Sequence, residues 1–200
     1  MKIIIIGAGI SGLGTAISLR KYLQPQLGDN DDLEVKIYDE ARVKPAGEID
    51  YSWHDHSDIR QQKKKKKKNQ GAAISLQANA FKVLKDLDPV LAERVYATGL
   101  PCKGFTWKNA SDWVLGHEDL EAHLISRPVL IECLMGALPE GIVQYRTVSD
   151  VTTEEGSKPT IHFSDGGEET ADLVVGADGI RSPLRKALFG EAEEYRPKYL

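Results

Sequence analysis

Met1-Lys2-Ile3-Ile4-Ile5-Ile6-Gly7-Ala8-Gly9-Ile10-Ser11-Gly12 opens the chain, and its reading decides the fold. Four consecutive isoleucines favour an extended strand buried on both faces, because β-branched side chains are stiff at χ1 and pack well on a pleat. The glycines that follow make three separate allowances. Gly7 permits a tight turn off the strand, Gly9 lets a pyrophosphate approach the backbone, and Gly12 lets the next helix sit close to the sheet. That helix presents its N–H groups and positive dipole end to the phosphates. The stretch predicts the entry of a dinucleotide-binding domain.

A glycine pattern alone is a weak signal, so its context decides. Leu13, Ala16, Ile17 and Leu23 recur at helical spacing to about residue 22 or 23. Leu33-Glu34-Val35-Lys36-Ile37-Tyr38-Asp39 then alternates at period two and ends on an acid suited to a ribose hydroxyl. Asp39 lies 27 residues after Gly12, against about 20 in the usual unit. The polar stretch 24–32, with Pro25 and Gly28, accounts for the excess as a longer loop.

The chain of 200 residues is long enough for one domain with a core, and its 41% hydrophobic and 28% charged residues are those of a globular protein. No apolar run approaches the ~18 residues of a membrane helix. No signal peptide precedes the strand that starts at Lys2, so the expectation is an intracellular, cytoplasmic protein. Cys102 and Cys133 show no metal or redox spacing and are expected to be reduced. Asn109-Ala110-Ser111 is then a chance sequon.

Residues 43–70 lapse into Pro, Gly, Asp, His and Lys and read as a disordered insertion. Residues 63–68 are six lysines, so the rest of the chain is more acidic than the net charge of −4 suggests. With no aromatic residues interleaved, the run reads as a solvated loop, and no nucleic-acid partner is expected. His54-Asp55-His56 on such a loop makes a poor metal site, and no metal is expected.

Beyond the insertion, residues 71–76 read as a strand, followed by a helix over 79–87 that offers Phe81, Val83, Leu84 and Leu87 to the core. Pro89 starts a second helix ending near Gly99. Residues 104–116 read as a hairpin around 109–111, with Trp107 and Trp113 as core or sheet-face residues. Ser126 is a candidate N-cap for a helix with Pro128 in its first turn and Gly141 at its close. Strands are expected over 142–151, 160–164 and 169–176, where Leu173-Val174-Val175 reads as a buried parallel strand.

The last strand continues as Gly176-Ala177-Asp178-Gly179-Ile180-Arg181-Ser182-Pro183-Leu184-Arg185. Together with the opening glycines, this resembles the FAD-dependent monooxygenases of the aromatic hydroxylase type, the salicylate and para-hydroxybenzoate hydroxylases. Their second fingerprint, Asp-Gly followed by Ser and Arg, is matched by Asp178, Gly179, Ser182 and Arg185. Two more segments resemble the family: 71–80, the small-residue stretch beside the flavin, and Ile125-Ser126-Arg127-Pro128-Val129-Leu130, whose arginine contacts FAD. A guanidinium suits that task because it stays charged and offers a planar fork of donors.

The resemblance implies a Rossmann-like, glutathione-reductase-like α/β fold. Residues 1–200 would form a partial FAD-binding domain, and 100–170 an interpolated α+β segment with part of the substrate-side sheet. It implies Gly7, Gly9, Gly12 and Asp39 for the ADP half of FAD, and Gly71, Ala73 and Arg127 for the flavin side. Asp178 and Gly179 would serve FAD and the reductant. The implied activity is NAD(P)H-dependent hydroxylation of an aromatic or related small substrate with O2, NADPH or NADH being the reductant. No catalytic residue is implied. Family members run to about twice this length; their Gly-Asp fingerprint has no counterpart here, so the expectation is an amino-terminal half, truncated at the C-terminus. Two other readings stay open: a non-catalytic FAD-binding fragment or pseudoenzyme, and an NAD-binding dehydrogenase.

Overall fold

The computed structural model of the chain describes residues 1–28, 32–40, 73–154, 156–179 and 182–190. The 43–70 insertion, its lysine run, His54-Asp55-His56 and Gly71 therefore lie outside the described residues. Strand β1 (Lys2–Ile6) leads to helix α1 (Ile10–Ser18) and to β2 (Glu34–Asp39), as the pattern predicts. The helix is shorter than its apolar spacing suggests, giving way to a π turn at Leu19–Leu23 and a 3-10 turn at Gln24–Gln26. Pro25, in that last turn, has no N–H to extend the ladder.

Next come β3 (Ala73–Gln77), α2 (Ala78–Leu87) and α3 (Pro89–Thr98). On α2 only part of the expected face is inside: Leu84 is buried, whereas Val83 is 58% exposed. Asp88 caps α3, accepting from the N–H groups of Val90 and Leu91 at 2.8 and 3.3 Å. Strands β4 (Leu100–Lys108) and β5 (Val114–Ser126) form the expected hairpin. Its tryptophans are not core residues, since Trp107 and Trp113 are 49% and 74% exposed. The third strand of that sheet, β3, pairs with 122–126, so among the described residues the far end of the hairpin has no third strand beside it.

Helix α4 (Arg127–Met135) ends at Gly136, whose N–H donates to the Glu132 carbonyl at 3.0 Å. Gly141, expected to close it, sits instead at φ +81 just before β6 (Val143–Tyr145). The remaining elements are β7 (Val148–Thr152), β8 (Thr160–Phe163), β9 (Glu168–Thr170), β10 (Leu173–Gly176) and α5 (Pro183–Phe189). No helix among the described residues is long and apolar enough to cross a membrane.

These strands make a parallel sheet in the order β10-β1-β2-β6 and two antiparallel sheets, β3-β5-β4 and β7-β8-β9. Two stretches expected to be single strands are each split where the chain changes sheet. Between β6 and β7, Arg146 turns out, stacks 3.6 Å over the Phe163 ring and pairs with Asp165 at 2.6 Å. Between β9 and β10, the Asp172 N–H donates to the Lys2 carbonyl at 2.8 Å and starts the register with β1. Strand β10 is an edge among the described residues, so Leu173 is 43% exposed and the strand is not buried as expected.

The isoleucines of β1 divide at period two. Ile3 and Ile5 pack with Leu13, Leu91, Val95 and Ile131 under the helices, while Ile4 and Ile6 pack with Tyr38, Val151, Ile161 and Phe163 of the β7–β9 layer. Burying both faces removes apolar surface at roughly 25 cal/mol per Å² and makes this strand the centre of the molecule.

A polar knot ties the β7–β9 layer to the parallel sheet. Glu169 accepts from Lys2 and Lys36 ammonium groups at 2.6 and 2.8 Å and from the buried Tyr38 hydroxyl. Burial opposes its charge, but Lys2, Lys36 and Tyr38 together hold the carboxyl down to about 2 from an ordinary 4.5. Burial first, then the bond to Glu169, pushes the Tyr38 hydroxyl up to about 12. A depressed folded-state pKa stabilises above the unfolded value, so this contribution is complete above pH 4.5 and fades as pH falls toward about 2. Glu169→Gln is expected to cost about 1–3 kcal/mol at pH 7. Urea unfolding at a series of pH values should show a flatter acid limb in the variant; an unchanged limb contradicts the assignment.

Candidate dinucleotide site

The loop between β1 and α1 is shaped by contacts far away in sequence. Gly7 sits at φ +105, and its N–H donates to the Tyr38 carbonyl at 2.7 Å. A Cβ there would overlap the Ala177 carbonyl oxygen and lie 2.9 Å from the Asp178 nitrogen. The Ala177 N–H in turn donates to the Ile6 carbonyl at 2.7 Å. The two glycine-bearing motifs of the sequence thus form one layer at the ends of β1 and β10. A Cβ on Gly12 would collide with the Gly7 carbonyl oxygen and come 3.3 Å from the Ala177 side chain. Gly7 and Gly12 are therefore demanded by the protein's own packing.

Gly9 is different. The nearest atom to a Cβ at that position is Arg127 Nη2, at 3.8 Å. Gly9 precedes α1, with the Leu13 N–H donating to its carbonyl at 3.0 Å. The first N–H groups of a helix have no partner within it. An open glycine, a helix start and a guanidinium are brought to one place, which is the chemistry a pyrophosphate requires.

The other expected residues are placed as follows. Asp39 ends β2 and its Oδ2 accepts from the Ala8 N–H at 2.6 Å, so the acid also steadies the glycine loop. Arg127 is exposed at the first position of α4. Ala73 is exposed on β3 and is the register partner of Ser126, beside Arg127. Asp178 is partly buried, and its Oδ2 accepts from the Leu184 N–H at 3.4 Å, at the start of α5. Gly179 is exposed at φ +75, and Arg185 Nη2 donates to its carbonyl at 2.9 Å. Ser182 Oγ accepts from the Arg185 N–H at 2.9 Å, so the serine and arginine of this motif hold the turn itself.

Two features were not read from the sequence. The Ala177 backbone against Gly7 depends on strand pairing that local pattern does not encode. Ser126 occupies the cap position as expected, yet its side chain makes no cap bond, and its Oγ is buried without a hydrogen-bond partner among the described residues. Among the described residues no three His, Cys, Asp or Glu side chains are placed to hold a metal ion.

The fold and loop chemistry define a Rossmann-like α/β dinucleotide-binding class. Within that class the chain is similar over nearly its whole length to FAD-dependent aromatic hydroxylases and monooxygenases. It is 28% identical over 207 residues to salicylate hydroxylase of Pseudomonas putida, covering 98% of this chain and 40% of the relative. It is likewise 28% identical to 3-amino-4-hydroxybenzoate 2-monooxygenase of Streptomyces platensis, covering 99% and 43%. Klebsiella pneumoniae HpxO, solved with FAD and uric acid, shares the fold at a TM-score of 0.65 and 22% identity, with 93% and 41% covered. No protein-family model matches the chain. The chain spans about two fifths of the length of the curated relatives it matches.

The glycine environments predict opposite outcomes for two similar substitutions. Gly12→Ala should cost more than about 3 kcal/mol, because backbone must move to admit the methyl. Gly9→Ala should change stability by less than about 0.5 kcal/mol. Thermal or urea unfolding of the two variants checks this, and equal losses would contradict it.

Proposed function

We propose that this chain binds FAD over the β1–α1 loop and serves an NAD(P)H-dependent monooxygenase that oxidises a small aromatic or related organic substrate with O2. The observation that carries this reading is the position of Gly9, open to a ligand and faced by Arg127 at the start of α4. It is supported by the likeness to salicylate hydroxylase and by the shared fold of an FAD-loaded structure.

In this reading Gly9 and the first N–H groups of α1 cradle the pyrophosphate, and Arg127, which the resemblance assigns to the flavin side, neutralises the pyrophosphate charge instead because its Nη2 lies beside Gly9. Asp39 accepts a ribose hydroxyl of the ADP half while keeping its bond to the Ala8 N–H. Ala73 offers a small residue to the flavin side, and Asp178 and Gly179 serve FAD and the reductant. Gly7 and Gly12 act by setting the loop, through their contacts with Ala177. Bound FAD supplies the acceptor for reducing equivalents from NAD(P)H and the means to activate O2; the protein binds, orients and excludes water. Residues 1–200 act as the FAD-binding domain, with 100–170 contributing part of the substrate-side sheet. A second reading is an FAD-binding module without turnover of its own.

Titration with FAD, followed by quenching of flavin fluorescence, tests the proposal. Arg127→Ala should weaken binding by about tenfold or more, and Arg127→Lys should restore only part of it, since an ammonium lacks the planar fork. A wild-type chain that leaves FAD fluorescence unchanged contradicts the proposal. FAD-dependent oxidation of NAD(P)H separates the two readings.

A further inference from the structure

A serine just before a helix ordinarily earns its place by accepting from the N–H of the second or third helical residue. Ser126 does neither. The second residue of α4 is Pro128, which has no N–H to give, and the hydroxyl makes no bond to the Val129 N–H. Asp88 shows the working arrangement: its proline is one place earlier, and both following N–H groups are capped. Ser126 Oγ is left buried with no partner among the described residues. A buried hydroxyl in that state is destabilising, which an alanine at the same place would not be. Capping and packing therefore leave this hydroxyl unexplained.

Its position supplies an explanation. Ser126 stands across the ladder from Ala73 and directly before Arg127, whose Nη2 lies 3.8 Å from where a Cβ on Gly9 would sit. The residue as a whole is only partly buried, so rotation about the Cα–Cβ bond can bring the oxygen to the surface. We propose that Ser126 is a further ligand of the dinucleotide: on binding, its hydroxyl leaves the buried rotamer and donates to a phosphate oxygen held between Gly9 and Arg127. The hydroxyl makes no hydrogen bond in its ligand-free rotamer and gains a charged acceptor when the phosphate arrives, so the residue favours the bound state. This inference rests on the reading of the cleft as an FAD site.

The test compares FAD and ADP titrations of the wild type, Ser126→Ala and Ser126→Thr, together with the melting temperature of each ligand-free protein. Ser126→Ala should bind both FAD and ADP about tenfold more weakly, while its ligand-free melting temperature equals or exceeds that of the wild type. Ser126→Thr, which keeps a hydroxyl, should recover most of the affinity. Wild-type affinity in Ser126→Ala overturns the proposal, as does a lowered ligand-free melting temperature, which would make the hydroxyl structural. Weaker FAD binding with unchanged ADP binding overturns the assignment to a phosphate. A wild type that binds no FAD overturns the FAD reading and this inference with it.

Discussion

Gly7 has no room for a side chain, and the architecture of the β1–α1 loop follows from that. Its backbone lies against the Ala177–Asp178 peptide at a φ of +105, a conformation that L side chains rarely adopt. The contact locks the end of β1 to the end of β10, two segments about 170 residues apart in the chain. It also fixes where the chain leaves β1, and hence where α1 begins. Gly12, pressed against Gly7 and Ala177, then sets the helix close over the sheet. Once these two glycines are spent on packing, Gly9 alone of the three has room for a Cβ, with Arg127 Nη2 the nearest atom to it.

The opposite face of the sheet supports the same loop from behind. Tyr38 lends its carbonyl to the Gly7 N–H and its hydroxyl to Glu169 of β9, while its ring meets Phe163 edge-on at 4.8 Å. One residue therefore links the glycine loop, the parallel sheet and the β7–β9 layer. The charges around Glu169 make this link selective, because a carboxylate held by two ammonium groups and a hydroxyl tolerates few other arrangements. Asp39, the next residue, reaches the loop from the same strand end through the Ala8 N–H. The proposed ribose ligand and the residue that ties the layers together are adjacent positions on β2.

Much of this was legible in the sequence because it is local. The isoleucine run, the glycine spacing and the alternation into Asp39 are short-range patterns, and they located β1, α1 and β2 within a few residues. Strand boundaries near residues 146 and 171 were not legible, since the chain changes sheets there and the reasons are tertiary: Arg146 over Phe163, and Asp172 beside Lys2. Burial of Leu173 was misjudged for a related cause, because apolar composition does not reveal whether a parallel strand is central or at an edge. The exposure of Trp113 likewise depends on how far β3 extends along the hairpin. At the candidate site, residue types and order singled out Arg127 and Asp178 as candidates, but the unpartnered hydroxyl of Ser126 among the described residues depends on its rotamer, since Pro128 removes only one of the two N–H groups a cap would use.

The central claim is that Gly9 and Arg127 face each other across a pyrophosphate. A crystal structure of the chain loaded with FAD tests it most directly. The account predicts phosphate density over Gly9, within hydrogen-bond distance of the first α1 N–H groups and the Arg127 guanidinium, with the adenosine ribose at Asp39. Flavin bound elsewhere, or a dinucleotide whose phosphates avoid both Gly9 and Arg127, would contradict it.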